Sequence, residues 1–181
     1  MAITVAIPTW RRPDMLRICL GKILACGPLP DEVLVHVDAG DEETVSLVKT
    51  HFAGQVSWIQ SEMTQGPGGG RDRLIHLAKH PLIATFDDDS WPLQTDYFLA
   101  AEQIFSRTPQ LGALTARIIH PAQNQAPHSP SGTGALRPEN CFQNCGCLLR
   151  RAAYLETTGF LPLRHAYGME EADVALQMLD R

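Results

Sequence analysis

The chain has 181 residues, 44% of them hydrophobic, which is enough to bury one sizeable core, so a single domain over residues 1–181 is expected. Fifteen Lys and Arg against twenty Asp and Glu give a formal charge of -5, which excludes the basic footprint that nucleic-acid or anionic-membrane binding needs. The opening Met-Ala-Ile-Thr-Val-Ala-Ile-Pro lacks the basic lead and long apolar run of a signal peptide, and no run approaches a membrane span. The expectation is a cytoplasmic protein with no transmembrane segment and no nucleic-acid partner.

In chain order, a β-branched run from Ile3 to Ile7 stops at Pro8, and Leu16, Cys19, Leu20, Ile23 and Leu24 recur at helical spacing behind Pro13. That pattern predicts strand, loop, helix. It returns as a strand over 32–37, the acidic turn Asp38-Ala39-Gly40-Asp41, and a helix with Asp41 as N-cap and Val45 and Val48 on its apolar side. A third strand is predicted over 56–59. A glycine-rich loop, Gly66-Pro67-Gly68-Gly69-Gly70, then opens a helix carrying Leu74, Ile75, Leu77 and Ala78, and an apolar run over 82–86 ends in Asp87, Asp88 and Asp89.

The second half is less regular. A helix is predicted over 95–105, with Phe98, Leu99, Ile104 and Phe105 apolar, and a strand over 114–119. Residues 120–140 are rich in Pro, Ser, Gly, Asn and Gln and read as a mobile loop. A strand over 147–150 and a short helix ending near Gly159 follow, and Val174, Leu176 and Leu179 share a final helix. No stop signal precedes Arg181, so an abbreviated C-terminus is expected.

Strands alternating with helices of these lengths predict an α/β fold with right-handed crossovers, a mostly parallel central sheet and helices on both faces. Such sheets bind ligands beyond the carboxyl ends of their strands. Pro8 and Thr9, Asp38, and the three aspartates all follow predicted strands, so the topology alone gathers them on one rim.

Several of these residues suit chemistry. In an extended segment Asp87 and Asp89 would face the same side, and two such carboxylates repel unless a cation lies between them. Oxygen donors suit Mg2+ or Mn2+, which as a Lewis acid would offset charge growing on a leaving diphosphate. The alternative is a solvated acidic turn in which Asp89 or Ser90 caps a short helix. The glycines of 66–70 would let backbone approach a phosphate, with Arg71 beside it, or would simply let the helix pack closely. They follow neither the Walker nor the Rossmann spacing. Asp38 could accept a hydrogen bond from a nucleobase or ribose, or shape its turn. Glu170 or Glu171, at the start of a helix, could act as general base while the other, or Asp173, caps or orients; a plain acidic first turn is the alternative. Five cysteines without a paired Cys-x-x-Cys are expected reduced, with Cys141, Cys145 and Cys147 serving as small hydrophobes rather than as a zinc site with His120 or His128.

Ile7-Pro8-Thr9-Trp10-Arg11-Arg12-Pro13, Val37-Asp38-Ala39-Gly40-Asp41, Gly70-Arg71-Asp72, Phe86-Asp87-Asp88-Asp89 and Gly168-Met169-Glu170-Glu171-Ala172-Asp173 occur in an order that resembles the family 2 inverting glycosyltransferases of the GT-A fold. The resemblance covers nearly the whole chain. It implies a Rossmann-like nucleotide-diphospho-sugar transferase sandwich in which Pro8, Thr9 and Arg12 border the nucleotide, Asp38 meets the base and Arg71 lies near the diphosphate. It implies Asp87 and Asp89 as the ends of a DXD motif, with Asp89 the direct ligand of Mn2+ or Mg2+, Asp87 nearer the ribose and Asp88 at the variable position. Glu171 matches the usual base, with Glu170 its rival. The donor would be a UDP-, dTDP- or GDP-linked sugar and the acceptor a saccharide, a lipid-linked group or a protein. Asp72, where the family often has Asn, and Ala39, where it often has a polar residue, depart from the pattern. The Gln-x-x-Arg-Trp element of processive members is absent. Two rivals remain: a nucleotidyltransferase using the same aspartates, and a nucleotide-sugar-binding domain without turnover.

Overall fold

The computed structural model describes residues 2–120, 136–160 and 170–180. In order the elements are β1 (Ile3–Thr9), α1 (Pro13–Ile23), β2 (Glu32–Val37), α2 (Glu42–His51), β3 (Ser57–Gln60), α3 (Gly66–Leu77), β4 (Leu82–Thr85), α4 (Tyr97–Arg107), β5 (Ala113–Thr115), β6 (Cys147–Arg150), α5 (Arg151–Leu155) and α6 (Glu170–Leu179). Six strands form one sheet in the order β3-β2-β1-β4-β6-β5. The first four run parallel, and β6 pairs antiparallel with both β4 and β5. The mostly parallel α/β sheet expected from the sequence is therefore present, with its antiparallel part on one side.

Side chains alternate across the sheet and feed two cores. On one face Val5, Ile7, Val35 and Ala84 pack with Leu16, Leu20 and Ile23 of α1, Val45 and Val48 of α2, and Phe98 and Phe105 of α4. On the other, Ala6, Leu34, Ile83 and Leu149 meet Leu74 and Ile75 of α3, Tyr154 of α5, and Val174 and Ala175 of α6. Helices cover both faces, as expected. Asp41 caps α2, its Oδ1 accepting from Thr44 N at 3.2 Å.

Several boundaries differ from the sequence reading: β1 runs through Pro8 to Thr9 rather than stopping at the proline, α5 ends at Leu155 rather than near Gly159, and three further differences have a local reason. The glycine-rich segment is helical from Gly66 onward rather than a loop. Its first turn is stabilised from outside by Asp38, which accepts from Gln65 N (2.9 Å) and Gly66 N (3.0 Å). The fourth helix starts at Tyr97 rather than 95, because the Thr95 carbonyl is committed to Gly27 N at 2.8 Å. The strand expected over 114–119 is only Ala113–Thr115, since its ladder ends where Thr115 faces Cys147 and Gly146 turns away at φ 84. The third strand starts at Ser57 and the fourth ends at Thr85, each within a residue of expectation. Most of the 120–140 loop, and Gly168 and Met169, lie outside the described residues. Among the described residues no helix is long and apolar enough to cross a membrane.

Candidate active site

From β1 the chain passes to β2 and β3 on one side, and α3 returns it to β4 on the other. The crevice beyond the carboxyl ends of β1 and β4 is thus the switch point where open α/β sheets bind ligands. Thr9, the last residue of β1, donates its hydroxyl to Asp88 Oδ2 at 2.8 Å and closes this point. Pro8, Thr9, Trp10, Arg12 and His36 line a cleft here together with Asp38, Gly66, Pro67, Asp87 and Asp88.

The three aspartates do not alternate along an extended strand. The chain turns after Phe86: Ser90 N donates to the Asp87 carbonyl at 3.0 Å, and Asp87 N donates to Ser90 Oγ at 2.8 Å. The expected common side for Asp87 and Asp89 is replaced by a turn in which each carboxylate has its own environment, and no short helix follows for Asp89 or Ser90 to cap. Asp88 is buried, and Arg12 Nη1 lies 2.9 Å from its Oδ1. Burial pushes the Asp88 carboxyl up, against the Thr9 hydrogen bond and the Arg12 charge, which pull it down. Asp87 and Asp89 keep side-chain exposures of 40% and 42% against 6% for Asp88, so they are the two carboxylates a ligand can reach. Arg12 Nη2 contacts Asp89 Oδ2 at 2.5 Å.

Arg71, in the second turn of α3, lies beneath this turn with only 3% of its side chain exposed. Its Nη2 donates to Asp87 Oδ1, its Nη1 lies 3.7 Å from Glu170 Oε1, and its Nε has no hydrogen-bond partner among the described residues. Burial pulls the guanidinium down, and Glu170 and Glu171 pull it back up. The residue expected near the diphosphate is therefore a buried bridge between the acidic turn and α6.

Asp38 is buried, and its oxygens accept from the amides of Ala39, Gln65 and Gly66. It faces the cleft and holds the start of α3 as well. Glu170 and Glu171 open α6, as the sequence indicated. Glu170 is 9% exposed in its side chain and rests against α3, where a Cβ on Gly68 would lie 3.4 Å from Glu170 Oε1. Glu171 is half-buried. Asp173 is exposed and accepts from Gln177 Nε2 of its own helix at 2.8 Å. All five cysteines are free, and Cys147 belongs to the core while Cys141 is exposed. Among the described residues no three His, Cys, Asp or Glu side chains form a group able to hold a metal by themselves.

Two site residues escaped the sequence reading. His36 is buried at the cleft floor, its Nε2 2.5 Å from Ser61 Oγ, which also accepts from Arg73 Nη1 at 3.1 Å. Burial lowers its basicity, and Asp38 opposes that. A histidine inside the apolar run Glu-Val-Leu-Val-His-Val was the available signal. Trp10 is 49% exposed and donates Nε1 to the Ala39 carbonyl at 3.3 Å, with Arg11 stacked 4.9 Å from its ring centre.

The architecture is that of a GT-A domain. The mannosyltransferase PcManGT from Pyrobaculum calidifontis, in complex with GDP-Man and Mn2+, superposes with TM-score 0.73 at 16% identity over 97% of this chain and 51% of its own. TarS 1-349 of S. aureus in complex with UDP-GlcNAc gives 0.73 at 16% identity over 98% and 53%, respectively. Mannosyl-3-phosphoglycerate synthase from Rubrobacter xylanophilus gives 0.60 at 15% identity over 85% and 55%. The chain spans about half the length of these structures, and at such identity the likeness is one of fold. None of the curated proteins matches. Residues 1–145 match the model for the glycosyltransferase-like family 2, and the chain belongs to that family.

Proposed function

We propose that this domain binds a nucleoside-diphosphate sugar and transfers the sugar with inversion to an acceptor hydroxyl, in a divalent-metal-dependent reaction. The observation that carries this reading is the pair of exposed carboxylates, Asp87 and Asp89, beside a polar cleft at the β1/β4 switch point. Mg2+ and Mn2+ are commonly held by one or two carboxylates together with substrate phosphates. This donor set fits such a shared cation better than an all-protein cage. Bound there by Asp89 and Asp87, the cation would supply Lewis-acid stabilisation of the departing diphosphate.

The remaining work falls to the chain itself. Pro8, Thr9, Asp38 and Pro67 border the nucleotide, and Arg12 holds Asp88 and Asp89 in register. Asp38 reaches the base or ribose only at the cleft edge, because three backbone amides already engage its carboxylate. Arg71 acts from behind the acidic turn. Glu171 is the general base: Glu170 is held against Arg71, whereas Glu171 sits half-buried in the same first turn. Its carboxylate takes the acceptor proton as the acceptor oxygen bonds to the anomeric carbon and the bond to the diphosphate breaks on the opposite face. The GDP-Man and UDP-GlcNAc complexes of the structural relatives support a GDP- or UDP-linked donor and, in one of them, Mn2+; a dTDP-linked donor is the remaining candidate of the family resemblance. A cytoplasmic setting, where such donors are made, agrees with this reading.

Calorimetry tests the reading. UDP or GDP should bind with Mn2+ and lose at least about tenfold in affinity without it, and Asp89→Ala should remove that metal-dependent gain. Equal affinity in the variant would sink the metal assignment. Turnover should release nucleoside diphosphate from a sugar donor, not pyrophosphate from a triphosphate.

A further inference from the structure

Arg71 is shared between two elements, the turn at Asp87 and the helix that opens at Glu170, which lie far apart in the sequence. It projects from the second turn of α3 and contacts Asp87 through Nη2 and Glu170 through Nη1. One guanidinium thus serves a carboxylate of the acidic turn and a carboxylate of the helix carrying Glu171. With 3% of its side chain exposed it is shielded from water, so among the described residues its charge is balanced by these acids. Asp87, by contrast, is 40% exposed and open to a cation.

We propose that Arg71 is a positioning residue through which cation binding at Asp87 and the seating of the first turn of α6 favour each other. This rests on the assignment of a divalent cation to Asp87 and Asp89 made above. In the free protein Asp87 and Glu170 compete for Arg71. When Asp87 is occupied by a cation, Arg71 is repelled from the turn and left to Glu170. The stronger pair draws Glu170 against Gly68 and so fixes Glu171, the adjacent residue on α6. By linkage, a firm Arg71–Glu170 pair makes Asp87 easier for a cation to take.

The test is a double-mutant cycle read as the Mn2+ affinity of the full chain at a fixed concentration of UDP or GDP, by calorimetry. Glu170→Gln in the wild-type background frees Arg71 for Asp87 and should weaken Mn2+ binding by about three- to tenfold, within the range typical of coupled neighbours. In Arg71→Met the same substitution should matter by less than about twofold, because the bridge is gone. Arg71→Gln, which keeps a long polar side chain without the charge, should behave like Arg71→Met and carries the cycle if the methionine variant does not fold, as judged by circular dichroism. An equal Glu170→Gln penalty in all backgrounds overturns the bridge while leaving the metal assignment intact. No Mn2+ binding by the wild-type chain in the presence of the nucleotide overturns both.

Discussion

The two acidic stretches on the rim are built in opposite ways. Asp87, Asp88 and Asp89 follow a fully buried parallel strand, and each is placed by neighbours that come from the βαβ frame: Arg71 of α3, Thr9 of β1 and Arg12 before α1. Glu170 and Glu171 begin α6, which among the described residues follows the short helix α5 rather than a strand. Their position depends on contacts around α3 and α5: Gly68 against Glu170, Tyr154 OH donating to Asp72 Oδ1 at 2.8 Å, and Phe160 N donating to that same hydroxyl at 3.1 Å. Topology fixes the first stretch, and close packing of small and aromatic residues fixes the second.

Perturbing each support separately sharpens this contrast. The largest effect is expected for Gly159→Ala. Gly159 has φ 72, and a Cβ there would lie 2.4 Å from Asp72 Oδ1, an atom already held by Tyr154. A loss of about 3 kcal/mol in urea unfolding is expected, with donor binding less affected than turnover, since the helix bearing the proposed base is what shifts. An unchanged unfolding midpoint would remove the packing explanation for α6. Gly70→Ala strikes the other support, because its Cβ would come within 2.6 Å of His36 Nδ1 and 3.1 Å of Pro8 Cβ. About 2 kcal/mol should be lost, chiefly at the nucleotide side of the cleft, and His36→Ala in the same chain should recover at least half of it. Failure of the second substitution to rescue would mean that the helix and strand are not limited by that contact.

The smallest effect is a pH dependence confined to the first region. His36 is buried and its basicity is lowered in the folded chain, so the unfolded chain takes up a proton more readily. Stability from this source is full above the ordinary imidazole value of about 6.5 and declines as pH falls below it. Urea midpoints measured from pH 7 down to pH 5 should fall more in the wild-type chain than in His36→Gln. Parallel curves for the two would show that His36 does not titrate on unfolding.

The same contrast explains what could be read from the amino-acid order. The strands at Ile3–Thr9, Glu32–Val37 and Cys147–Arg150 were legible because their runs are apolar, the first two also β-branched, although β1 runs on through Pro8 to Thr9, and the rim followed from their alternation with helices. The segment Gly66 to Gly70 was misread as a loop because helix propensity is a local quantity. The cap that stabilises it comes from Asp38, on another strand. Likewise, the motif placed Arg71 near a diphosphate, but nothing in the local sequence revealed that it would be buried and shared with Glu170. The aspartate turn was found as a cluster, yet the division between one buried and two accessible carboxylates is set by Thr9 and Arg12, nearly eighty residues earlier.

The sheet order carries a consequence for solubility during heating or refolding. Its two outermost strands, β3 and β5, are four and three residues long, too short to offer another chain a long row of unpaired amides. On the β3 side, Lys49 Nζ lies 4.9 Å from the centre of the Trp58 ring, and Gln60 is tied to Glu42, so a cation and a polar clasp stand over the margin. Strand-to-strand adhesion between folded copies is therefore discouraged from both sides, and replacing Lys49 with an apolar residue is the change that would most readily make this border adhesive.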